Sequence, residues 1–175
     1  MKKTLLLAAV ILAMPLGLLA GRNHSDNGDG TFRNPVIAAD FPDIDVVRAG
    51  DTYYMLSTTM FVFPGVTLLK SHDLVNWEYA CNVVPRLDTS PCYNLEGGHR
   101  YGHGQWAGSL KYHQGTFYLL FNTLNDGGYL CTATDPEGTW NIRQLPRGFH
   151  DPGLFFDDDG KTYVVYGIKN LRIAE

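Results

Sequence analysis

The sequence has 175 residues and a formal net charge of −4; 45% of its residues are hydrophobic and 13% aromatic. That length fits one domain or part of a larger one, and the apolar and aromatic content argues against disorder. No basic run is present, so nucleic acid and anionic membrane surfaces are poor partners, and a neutral ligand is expected.

Residues 1–20 read as an export signal. Lys2 and Lys3 form a positive lead, Leu5 to Ala13 an apolar stretch, and Pro15 and Gly17 interrupt it before Ala20-Gly21. An exported protein is expected, periplasmic or extracellular, with no membrane association once the signal is removed. Residues 21–33 are polar and Gly-rich and are expected to form a flexible mature N-terminus. Asp26-Asn27-Gly28-Asp29-Gly30 lacks the later glutamate of a calcium loop. Of the three cysteines, Cys81 and Cys92 are close enough in sequence to pair, but their spacing leaves the question open.

From Asn34 onward the chain repeats itself. Ile44, Val46 and Val47 suit a strand, Ala49-Gly50-Asp51 a tight turn, and Thr52-Tyr53-Tyr54-Met55-Leu56 the returning strand. Gly108 to Leu119 echoes this pattern, and so does Asp151 to Val164, whose acidic tip Asp157-Asp158-Asp159-Gly160-Lys161 reads as solvated turn residues. A second shared pattern follows the hairpins. Thr67 to Trp77 resembles Tyr129 to Trp140: a third strand, a turn started by Asp73 or Asp135, and a fourth strand opened by Trp77 or Trp140. Leu171 to Glu175 reads as the third strand of a last, incomplete unit. Recurring four-stranded antiparallel units describe the blades of a β-propeller, here about two and a half of them, in an all-β chain. An incomplete ring exposes an apolar blade face and unpaired edges, which predicts a fragment of a longer protein or a need for a partner.

The first strand of each propeller blade lines the axis. Asp43 and Asp151 precede matching first strands; Gly108 is expected at the same place in the middle blade, with Trp106 two residues before it. Each aspartate has two readings. It is a turn cap, or a carboxylate aimed into a shared funnel, where two acids perturb each other and take different roles. Trp106 likewise either fills the core or offers an apolar face to a sugar ring. His99 and His103 have the spacing of helical zinc ligands, but the surrounding glycines argue against a helix, and no metal site is expected.

Several motifs, in order, resemble the glycoside hydrolase family 43 enzymes, β-xylosidases and α-L-arabinofuranosidases on a five-bladed propeller. They are Asn34-Pro35-Val36, Pro42-Asp43, Val47 to Tyr54, Phe63-Pro64-Gly65-Val66, Ser71 to Trp77, Tyr101 to Ala107 and His150 to Gly160. The resemblance covers residues 33–175, the N-terminal portion of that fold, and makes 34–175 a partial catalytic propeller domain. It implies that Asp43 is the general base that activates water, and that Asp151 tunes and orients the proton donor. The donor itself would be a glutamate beyond this chain, so these 175 residues alone are expected to be inactive. Phe63, Trp106 and Phe61 would wall the pocket of the terminal pentose. His150, beside Asp151, has two readings: a hydrogen-bonding group in the pocket or a packed loop histidine. The partner would be a neutral pentose-containing oligosaccharide or polysaccharide of the plant cell wall. No cofactor is required, although an axial calcium is compatible with the full-length protein. The family's Asp-Pro at the base is Asp43-Ile44 here, and its Pro or Ala after Trp106-Ala107 is Gly108. The alternatives are a non-catalytic carbohydrate-binding propeller and an inactive gene fragment.

Overall fold

The computed structural model describes residues 25–175, so the expected signal peptide, 1–20, lies outside the described residues. Strands β1 (Asp45–Ala49), β2 (Thr52–Ser57), β3 (Gly65–Ser71) and β4 (Glu78–Val84) form one antiparallel sheet in chain order. A second sheet repeats the plan with β5 (Ser109–His113), β6 (Thr116–Thr123), β7 (Gly127–Ala133) and β8 (Asn141–Gln144). The third holds β9 (Gly153–Phe156), β10 (Thr162–Tyr166) and β11 (Arg172–Ala174). This is the all-β, bladed architecture expected. The only helical element among the described residues is a 3-10 turn, Pro91–Asn94.

Turn chemistry sets the registers. Ala49 pairs with Thr52 and His113 with Thr116 across tips where Gly50 and Gly115 take φ of 60° and 82°, a region that favours glycine. Trp77 and Trp140 stand immediately before β4 and β8, as read from the sequence.

The sheets stack face to face, and strand alternation divides their side chains between two cores. Leu119 and Phe121 of β6 point toward the first sheet, where Leu56, Val66 and Leu68 meet them with Val47 and Tyr54 alongside. Leu120, between them in sequence, points the other way, against Phe149 and Leu154, with Phe156 and Val164 of the third sheet beside them. Burying each leucine contributes roughly 1.5–3 kcal/mol, so apolar stacking carries the stability. Polar contacts fix the blades' relative placement. At the rim, Lys70 Nζ reaches Glu137 at 2.8 Å, and Cys81 Sγ donates to the Pro136 carbonyl. All three cysteines are free thiols, and burial pushes Cys131 up to about 12.

Apolar side chains are exposed on the third sheet. Phe155, Ile168, Leu171 and Ile173 of the third sheet are each more than half exposed.

Residues 25–33 form a small closed loop. Asp26 bridges Phe32, Arg33 N–H donates to the Ser25 carbonyl, and Asn76 Nδ2 ties Asp26 to the first sheet at 3.0 Å. The aspartates that resemble a calcium loop are spent on this turn: Asp26 accepts from Gly28 N–H and Asp29 from Thr31 N–H.

Asp73 closes the β3–β4 turn as the sequence suggests. Its Oδ1 accepts from the Val75 and Asn76 N–H groups and its Oδ2 from Asn76 Nδ2. The Asn76 side chain is the largest influence holding this carboxyl well below the usual carboxylate range. A depressed folded-state pKa adds stability above the unfolded value, and that stability is lost as pH falls through the folded one. The urea midpoint is therefore expected to drop below about pH 4, and Asp73→Ala to flatten that drop. An acid profile identical in the two proteins would refute the role of this turn.

Candidate active site

The lead-in to each inner strand is pinned by the end of that strand's hairpin. The Pro42 carbonyl accepts from Thr58 N–H at 3.1 Å, and the His150 carbonyl accepts from Gly167 N–H at 2.9 Å. In the middle sheet Trp106 N–H donates to the Asn122 carbonyl at 2.9 Å. Together with the strand registers, these bonds make Pro42, Trp106 and His150 equivalent positions. Asp43 and Asp151 are then equivalent, as expected, but their counterpart is Ala107. The expectation of Gly108 is one residue off, and Trp106 stands one residue before the hub position.

Asp43 and Asp151 share a second property. Their φ angles are 52° and 46°, in the left-handed region, whereas Ala107 is not among the residues with positive φ. Non-glycine residues held there cost of order 1–3 kcal/mol and persist where their surroundings over-determine them. Aspartate tolerates the region better than most. The two carboxylates thus leave their strands at the same kind of sharp bend.

Both carboxylates are open to solvent. Asp43 Oδ2 accepts from the Thr58 hydroxyl at 2.8 Å. Asp151 Oδ2 lies 3.5 Å from His150 Nε2, and both side chains are about half exposed, at 58% and 42%. A carboxylate with one hydrogen-bonded oxygen and one free oxygen is held in orientation and can still accept a proton from water.

A cleft of about 390 Å³ opens between the second and third sheets, and Trp106, Asn122, His150 and Asp151 line it. The structure therefore brings together three of the sequence-predicted residues, Trp106, His150 and Asp151. Asp43, Phe61 and Phe63 stand outside that wall. Trp106 is fixed by its indole N–H, which donates to the Gly102 carbonyl at 3.1 Å.

The two phenylalanines part company. Phe61 is 60% exposed and meets Tyr101 edge-on, while Tyr101 stacks on His99 at 4.4 Å. Phe63 is only 5% exposed and packs edge-on against Tyr93 in the first core. Its expected place on the sugar pocket is not what this structure shows: the chain bends between Ser57 and Gly65, so residues two apart do not share a face.

Two supporting residues carry no clear signal in the sequence. Gln105 is fully buried; its Oε1 accepts from Thr59 N–H and its Nε2 donates to the Trp106 carbonyl. It thereby joins the loop after Asp43's hairpin to the loop that presents Trp106. Asn122 clamps the backbone of Phe149, accepting from its N–H at 2.7 Å and donating to its carbonyl. His99 and His103 do not converge on a cation site. Among the described residues no three His, Cys, Asp or Glu side chains form a cage.

The family model described as glycosyl hydrolases family 43 matches residues 32–175. A β-xylosidase of Formosa agariphila is 39% identical over 145 residues, covering 80% of this chain and 24% of the relative. A non-reducing end α-L-arabinofuranosidase of Bacteroides ovatus is 35% identical over 140 residues, covering 77% of this chain and 26% of the relative. Among solved structures, a bifunctional GH43-CE protein of Bacteroides eggerthii superposes with a TM-score of 0.73 at 42% identity, over 82% of this chain and 20% of that one. The chain thus spans about a quarter of the length of the curated relatives it matches.

Proposed function

Because the chain belongs to the glycosyl hydrolases of family 43, we propose that it supplies the base-bearing portion of an exported, inverting glycosidase. The enzyme removes terminal xylose or arabinose from plant cell-wall oligosaccharides and polysaccharides. The observation that carries this reading is the pair Asp43 and Asp151, at equivalent hub positions and at the same left-handed bend. Two β-xylosidase or arabinofuranosidase relatives at 35–39% identity support the substrate class.

In this mechanism Asp43 takes a proton from water as the oxygen attacks the anomeric carbon. Thr58 holds one oxygen of the base so that the other faces the water. Asp151 tunes and orients a proton donor, a glutamate outside these 175 residues, and His150 helps to hold Asp151 and the sugar hydroxyls. Trp106 offers its face to the pentose ring, and Phe61 is the exposed ring on the first sheet's side. No cofactor takes part. Inversion needs base and donor about 6.5–9.5 Å apart, with the water between them.

The test is the anomeric form of the first product. Full-length protein hydrolysing an aryl β-xyloside, followed by proton NMR in the first minutes, is expected to release α-xylose before mutarotation. An aryl α-arabinofuranoside would correspondingly give the β-sugar. Initial release with retention would overturn the single-displacement mechanism, and no hydrolysis of either glycoside would favour a sugar-binding propeller.

A further inference from the structure

The hub contains a hydrogen-bonded chain that crosses all three sheets. Asp45, two residues after Asp43, points a single oxygen, Oδ2, at the second sheet. That oxygen accepts from Leu110 N–H at 2.9 Å, from Lys111 Nζ at 2.9 Å and from the Ser109 hydroxyl at 3.2 Å. The Ser109 oxygen in turn accepts from Leu154 N–H at 3.1 Å. Ser109 is 1% exposed, so its two bonds are shielded from water, while Lys111 and Asp45 are partly exposed. One end of the chain lies two residues from Asp43 and the other three residues from Asp151.

We propose that Asp45 and Ser109 are positioning residues: their relay fixes the spacing of Asp43 and Asp151 across the hub. The proposal rests on the reading of those two aspartates as the working carboxylates. Stability alone does not call for such a device, because the faces already bury extensive apolar surface and a polar chain must first be desolvated. A hydrogen-bonded network with a buried centre instead selects one arrangement among closely similar ones. Apolar faces slide over one another at little cost, whereas an oxygen with three aimed donors does not. The relay also explains how two left-handed aspartates are held: each bend is followed within three residues by an anchored inner strand.

The experiment uses the full-length protein, with Ser109→Ala, Ser109→Thr, Lys111→Met and Asp43→Asn. Ser109→Ala removes both bonds of the Ser109 hydroxyl, leaving Leu110 and Lys111 on Asp45 but no acceptor for Leu154 N–H, whereas the threonine retains the hydroxyl. Lys111→Met removes one donor from the half-exposed side and guards against a misfolded alanine variant. Ser109→Ala is expected to lower kcat roughly 10–100-fold, the scale of a misplacement near 1 Å, and to leave KM within about threefold. Amide exchange at Leu154 should speed up, threonine should restore both readouts, and Lys111→Met should lower kcat more mildly, again at constant KM. Faster Leu154 exchange with unchanged kcat would overturn the positioning role and leave the hydrolase reading intact. Activity surviving Asp43→Asn would overturn the base assignment itself, and the positioning role with it.

Discussion

Replacing Asp43 by asparagine is expected to lower kcat/KM on an aryl pentoside by about 10²–10⁴-fold while leaving the fold in place. Asparagine is the informative substitution because it separates chemistry from backbone. Asp43 sits at φ 52°, where asparagine is tolerated and alanine is penalised by roughly 1–2 kcal/mol. The amide oxygen can also keep the Thr58 hydroxyl bond. What asparagine cannot do is accept a proton from the attacking water. A thousandfold loss corresponds to about 4 kcal/mol of barrier, more than the bend or the Thr58 bond can account for. Steady-state kinetics with a melting curve for the same preparation decides the matter. A loss below about tenfold would remove Asp43 from the base role.

Asn122→Ala is expected to be the most costly of the polar substitutions away from the carboxylates. The side chain is buried and makes both bonds to the Phe149 backbone, one residue before His150. Alanine leaves an N–H and a carbonyl without partners, at about 1–3 kcal/mol each. The expected loss is therefore about 2–6 kcal/mol, read from the denaturant midpoint at constant slope. Asn122→Asp keeps the acceptor but sets a buried carboxylate oxygen against the Phe149 carbonyl, so it should not recover the loss. The loss should also fall on the lead-in to Asp151, so activity should drop more than the folded fraction does. A midpoint within experimental error of wild type would show that Phe149 finds its partners elsewhere.

The hairpins were legible because their signals are local. Gly50 and Gly115 mark the tips, aromatic and β-branched residues fill the returning strands, and Asp73 and Asp135 start the outer turns. The equivalence of Asp43 and Asp151 was legible for the same reason, since each directly precedes a hairpin. The middle sheet was misplaced by one residue because Ala107-Gly108-Ser109 carries no large side chain to anchor an alignment. What fixes it is the donation from Trp106 N–H to the Asn122 carbonyl in the hairpin's own register. Phe61 and Phe63 could not be told apart by pattern, because burial there follows from an irregular loop. Thr58, Gln105 and Asn122 stayed silent as single polar letters, because their partners are 15 to 46 residues away along the chain.

The two joints between sheets are not equally tight. At the hub, the first joint gathers three donors on Asp45, one of them a cation, and the rim adds Lys70 with Glu137. The second joint has one backbone donor on Ser109, besides the Asn122 clamp. Of these two joints, the one beside Asp151 is therefore expected to breathe more readily on warming than the one beside Asp43.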